Sequence, residues 1–151
     1  MFHNMIQYII SVIFYIIKTQ KGRIAMDGLK IGTKAQANTQ VNASNTALSM
    51  GSGALEVFAT PAAVALVEAA ACKVLAPYLE EGITTVGTKM NIDHIKASLL
   101  GAMITATAEL IEIDGRRYVF AVSARDEAGE IVVGTHERFS VNVDRFMSKL
   151  R

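Results

Sequence analysis

Between Val57 and Leu79 the chain reads VFATPAAVALVEAAACKVLAPYL, a helical run that is apolar on almost every side and holds one acidic residue, Glu68. A helix of that kind has no face suited to solvent, so the rest of the fold must enclose it. Glu68 is therefore expected to be buried. An ionised carboxylate in an apolar interior costs many kcal/mol unless it is paired, hydrogen-bonded or shifted upward in pKa. A raised pKa suits acid–base chemistry near neutrality. A carboxylate that merely ties the helix to a backbone donor is the alternative, and the helix alone leaves both readings open.

At the start of the same helix, Thr60 precedes Pro61. A hydroxyl at the N-cap followed by proline at the first helical position is a strong start signal, which predicts that Thr60 caps the N–H of Ala62 or Ala63. The helix N-terminus also gathers unpaired N–H groups and the positive end of the helix dipole, a setting that stabilises negative charge on a substrate oxygen. Pro61 removes one of those donors.

The next segment, TTVGTKMNIDHIKA, alternates with period two. Met90, Ile92 and His94 share one face, with Lys89, Asn91 and Asp93 on the other, so His94 is expected to point inward. An imidazole there is either a satisfied core residue or, if the strand packs on the helix, a partner for the carboxylate. Gly87 in the same strand marks a bulge or a close approach of backbone to tertiary structure or ligand.

A meander follows. Asp114-Gly115 separates AMITATAELIEI from RRYVFAVSARD, a strong hairpin signal, and EAGE makes a second turn into IVVGTHERFSVNV. In that last strand Ile131, Val133, Thr135, Glu137, Phe139, Val141 and Val143 share one face, with Gly134, His136 and Arg138 opposite. Spacing alone predicts a solvated or cross-strand ion-paired Arg138, and a similarly unremarkable His136.

The order is thus one strand (about residues 30–41), a loop, one long apolar helix and four antiparallel strands. The economical enclosure is an α+β hotdog fold, a curved antiparallel sheet wrapped around the helix. One domain is expected over residues 26–151. A sheet this small leaves apolar helix surface and strand edges uncovered, which favours a homodimer.

VFATP, the helix ending in LAPYLEEG, VGTKMNIDHIKAS, the hairpin with GRR and the final GTHER together resemble the fluoroacetyl-CoA thioesterase branch of the hotdog thioesterases, across residues 29–150. Each motif alone is weak, and five in order are specific. The resemblance implies hydrolysis of a short-chain acyl-CoA thioester at a dimer-interface site. It places the catalytic threonine, glutamate and histidine on Thr60, Glu68 and His94, and a pocket glycine and arginine on Gly87 and Arg138. Two departures stand out. The stretch NASNTALSMGSGALE lacks the aromatic lid residue of the fluoroacetyl enzyme, which predicts a mobile lid, an open pocket and no strong preference for fluorine. Pro61 replaces a glycine after the threonine, so an oxyanion would be held by N–H groups of Ala62, Ala63 or Gly87. In such a site a water or Glu68 attacks the thioester, Thr60 orients the attacking group and His94 supplies acid–base help. A hotdog enoyl-thioester hydratase and a non-catalytic acyl-CoA-binding module are the alternatives.

Other classes are excluded more simply. With 15 Lys and Arg against 14 Asp and Glu, the net charge is +1, and scattered basic residues make no stripe for nucleic acid. Three His and one Cys form no ligand-spaced cluster, so no metal and no cofactor is expected. Cys72 reads as a core residue, and a lone cysteine fits the reducing cytoplasm. Residues 1–25 carry the apolar run MIQYIISVIFYII, short for a membrane span and without a basic region ahead of it. A weak interfacial anchor is one reading. The other is a non-native extension: the residues are those of AT-rich codons, and Lys21-Gly22-Arg23 fits a purine-rich ribosome-binding run ahead of a natural start at Met26.

Overall fold

The structure, a computed structural model, describes residues 28–151; both readings of residues 1–25 lie outside them. The order of elements is β1 (Lys34–Gln40), α1 (Ala47–Met50), α2 (Thr60–Leu75) with a short 3-10 turn (Ala76–Tyr78), β2 (Ile83–His94), β3 (Met103–Asp114), β4 (Arg117–Asp126), β5 (Gly129–Asn142) and α3 (Val143–Ser148). The five strands form one antiparallel sheet in the order β1-β3-β4-β5-β2. The chain leaves the sheet at one edge strand, crosses it as α2 and re-enters at the other edge as β2. This is the predicted hotdog arrangement.

Alanine and β-branched residues let α2 lie close to the sheet. Ala63, Leu66, Val67, Ala70, Ala71, Val74 and Leu75 are buried, and they join Ile104, Leu110, Phe120 and Val132 in one core. Burial of a side chain such as Leu75 or Phe120 contributes about 1.5–3 kcal/mol. The enclosure is one-sided: Pro61, Ala65, Ala69 and Lys73 remain exposed along the opposite face. The apolar surface left over is therefore a stripe of α2, as a small sheet requires.

The hairpin signals hold with one adjustment. Asp114 pairs with Arg117 as the last residue of β3, so the two-residue loop is Gly115–Arg116, with Gly115 at a positive φ of 57°. β1 is shorter than the expected strand. Thr33 Oγ1 donates to the Lys30 carbonyl at 2.7 Å, closing a turn before the ladder starts.

The segment between β1 and α2 is tied at both of its ends by hydrogen bonds. Asn42 and Asn45 tie it to Gln40, Thr46 caps α1 by accepting from the Ser49 N–H, and the N–H groups of Ala47 and Leu48 donate to the carbonyls of Val57 and Leu55. It presents Leu48, Met50 and Leu55 to the exterior, so its apolar area exceeds what its Ser, Gly, Ala and Asn content implies.

Candidate active site

Two clusters of polar side chains meet α2, one at each end of β2. At the helix start, Ala59 occupies the N-cap position and gives no side-chain cap, so Thr60 is the first helical residue. Its hydroxyl, expected to cap the helix, instead lies 2.8 Å from His94 Nδ1. His94 ends β2 on the face shared with Met90 and Ile92, which pack against the core as the alternation predicts. His94 Nε2 is buried and has no hydrogen-bond partner among the described residues. Of the backbone donors proposed for an oxyanion, Ala63 is engaged with the Ala59 carbonyl at 3.0 Å. Ala62 donates no backbone bond among the described residues, and it lines an open cleft of about 350 Å³ between the lid and α2 with Met50, Phe58, Ala65 and Ala69.

The second cluster surrounds Glu68. Its side chain is 38% exposed, not buried, because it emerges at the flank of α2 that the sheet does not cover. The pairing it requires comes from Arg138 Nη1 at 2.9 Å. Arg138, expected to be solvated or paired across strands, is 5% exposed and points to the helix side of the sheet. Its Nε donates to Thr85 Oγ1 and its Nη2 to the Thr85 carbonyl, both at 2.9 Å. His136 lies behind it, with Nε2 3.1 Å from Arg138 Nη1 and 3.9 Å from Glu68 Oε2. Burial, reinforced by the Arg138 charge, pushes the His136 pKa below its usual value.

Gly87 explains itself here. A β-carbon on it would stand 2.8 Å from Glu68 Oε2 and 3.2 Å from His136 Cε1. The close-approach reading is therefore right, and the ladder to β5 shifts register immediately after it. Gly87, Arg138 and Glu68 converge in one cluster. His136 is the member that sequence reasoning passed over, and its i, i+2 spacing from Arg138 was the available signal.

The two clusters do not touch. Glu68 hydrogen-bonds to Arg138, whereas Thr60 and His94 bond to each other. Gly87 and His94 are seven residues apart on β2, and at about 3.3 Å per residue, less the bulge, this separates them by about 20 Å. Along α2, Thr60 and Glu68 stand about 12 Å apart at 1.5 Å per residue.

Known proteins share this framework. A family profile for the fluoroacetyl-CoA-specific thioesterase FlK matches residues 41–144. The fluoroacetyl-CoA thioesterase of Streptantibioticus cattleyicolor is 44% identical over 96 residues, 64% of this chain and 69% of that protein. A solved structure of the fluoroacetyl-CoA thioesterase FlK superposes with a TM-score of 0.78 at 36% identity, over 83% of this chain and 97% of the other. A hot-dog-like protein from Thermanaerovibrio acidaminovorans gives a TM-score of 0.75 at 27% identity, over 81% and 90%. With the profile spanning most of the described domain and the fold shared throughout, the chain belongs to the fluoroacetyl-CoA-specific thioesterase family.

Proposed function

We propose that this protein hydrolyses short-chain acyl-CoA thioesters to the free acid and CoA, as a homodimer in which Thr60 and His94 of one copy act with Glu68 of the other. The observation that carries this reading is the separation of the two clusters. A carboxylate about 12 Å along α2 from Thr60, and turned toward Gly87 about 20 Å along β2 from His94, cannot meet the same carbonyl within one chain. Among the described residues β2 is an edge strand, which leaves its outer hydrogen-bonding groups to pair with a second β2. Antiparallel pairing centred between Met90 and Asn91 sets Gly87 opposite the partner's His94 position and brings each Glu68 to the other copy's helix start. The exposed Ala65 and Ala69 stripe of α2 adds apolar surface to such an interface.

The chemistry follows from the groups. A buried Nε2–H without an acceptor is costlier than a bare lone pair, so the resting His94 carries its proton on Nδ1 and donates it to Thr60 Oγ1. The Thr60 hydroxyl proton is then free to orient a substrate carbonyl or water. Glu68 takes a proton from the attacking water, and the new hydroxyl adds to the thioester carbon. The Ala62 N–H and the α2 dipole offset the oxyanion charge. Collapse breaks the C–S bond, and the departing CoA thiolate takes up the proton that Glu68 removed from the water, with His94 relaying it. A direct attack by Glu68, with water releasing the acyl group afterwards, uses the same placement.

Release of free thiol from acetyl-, propionyl-, butyryl- and fluoroacetyl-CoA tests the reading. Turnover is expected for all four, with fluoroacetyl favoured by far less than a thousandfold because one methylene discriminates by only about 1–3 kcal/mol in an apolar pocket. With an added enoyl-CoA, loss of enoyl absorbance without thiol release would identify a hydratase. Thermal stabilisation by acyl-CoA without turnover would identify a binding module. Cys72, half-buried and free, fits a reducing, cytoplasmic setting.

A further inference from the structure

His136 has no assigned part in the reaction, yet it is 1% exposed and built into the charge pocket beneath Glu68. Its Nδ1 lies 2.8 Å from the Lys89 carbonyl. A carbonyl oxygen only accepts, so Nδ1 carries the ring proton and Nε2 presents a lone pair. That lone pair accepts from Arg138 Nη1 at 3.1 Å, while the second Nη1 hydrogen goes to Glu68 Oε2 at 2.9 Å. With Thr85 taking Nε and Nη2, four of the five guanidinium hydrogens are committed. The ring itself is held by stacking on Phe120, at 6.4 Å between centroids.

We propose that His136 is a positioning residue for Glu68: neutral and protonated on Nδ1, it fixes Arg138 so that Nη1 is offered to the carboxylate at one point, against Gly87. This rests on the proposed role of Glu68 and goes beyond it. The charged groups facing the ring are Arg138 on β5 and Glu68 on α2, with Glu137 acting from the opposite face of β5. A proton on Nε2 would set two cationic N–H groups against each other and move Glu68 from Arg138 to the imidazolium. The carboxylate would then shift away from Gly87. A misplacement of about 1 Å in a reacting group is enough to cost up to a hundredfold in rate.

The test is His136→Phe, which keeps the stack on Phe120 and deletes the acceptor, beside His136→Gln, whose amide oxygen restores one. The expected result for Phe is a fall in kcat of about tenfold or more, with KM for acetyl-CoA within about twofold and Gln recovering most of the rate. An unchanged kcat in the Phe variant overturns the proposal, as does a Gln variant as slow as Phe. If neither variant folds, the ring nitrogen shifts of the wild-type protein decide. Nδ1 protonated and Nε2 bare at neutral pH supports the assignment, and a protonated Nε2 there refutes it. Full activity in Glu68→Gln would instead sink the thioesterase reading itself, so the two failures are distinct.

Discussion

The Thr60–His94 pair and the Glu68–Arg138 cluster lie on the same helix and the same strand, yet they are held in opposite ways. Thr60 and His94 share one hydrogen bond, sit at the first residue of α2 and the last of β2, and leave a buried nitrogen unpaired among the described residues. Glu68 faces a guanidinium committed to Thr85, His136 and the carboxylate, on neighbouring central and edge strands. One cluster has polar capacity left for a substrate; the other has spent it fixing a single charge. The contrast teaches that a carboxylate on a half-covered helix flank needs an internal counter-ion, whereas a hydroxyl at a helix start does not.

Removing charge from the rigid cluster should have the largest effect. Glu68→Gln is expected to lower kcat about a hundredfold or more while the protein still folds. It also leaves Arg138 without its counter-ion, for a loss of roughly 1–3 kcal/mol, discounted because the carboxylate is part exposed. Near-normal turnover in this variant would remove Glu68 from the chemistry.

His94→Ala should lower kcat by a similar or slightly smaller factor, about a hundredfold. A near-normal rate would remove His94 from the mechanism. Gly87→Ala tests the rigid cluster more gently. Its new methyl group would stand 2.8 Å from Glu68 Oε2, which must move. About a tenfold fall in kcat is expected, with the Thr60–His94 pair undisturbed. A normal rate would show that the carboxylate position is not critical.

The smallest effect concerns what anchors the looser pair. Asp126 accepts from Lys96 Nζ at 2.9 Å, Ser98 Oγ at 2.8 Å and the Ala128 N–H at 2.8 Å, and the Ser98 carbonyl accepts from Phe58 N–H just ahead of Thr60. The Lys96 hydrogen bond, with help from Ser98, pulls the Asp126 pKa down to about 2. A lowered carboxylate pKa stabilises the fold fully above the unfolded value near 4 and loses that contribution as pH falls through about 2. Asp126→Asn should therefore flatten the acid limb of stability and lower Tm by a few degrees at neutral pH. An unchanged acid limb would contradict this anchoring.

Much of the fold was legible because α2 is apolar on every side and β2 to β5 alternate cleanly, which leaves few ways to enclose the helix. The site was only partly legible. Thr60 was readable as a helix start, but a hydroxyl there can cap or bond a neighbour, and only the position of His94 decides. Arg138 was misplaced because the opposite face of β5, with Val133, Phe139 and Val141, is the more apolar one. Arg138 faces the helix side and pairs with Glu68, and that long-range pairing, 70 residues apart, leaves no local pattern. His136 escaped for the same reason. In the lid, composition hid three apolar side chains and a web of asparagine hydrogen bonds.

The central claim is that each site joins Thr60 and His94 of one copy to Glu68 of another. Co-expression of Thr60→Ala and Glu68→Gln chains tests it most directly, because each chain alone is expected to be nearly inactive. In a mixed dimer one site carries both lesions and the other carries neither. Random pairing therefore predicts recovery to about a quarter of wild-type kcat. If all three residues acted within one chain, every site would keep a lesion and the mixture would stay as inactive as its parents, which would contradict the account.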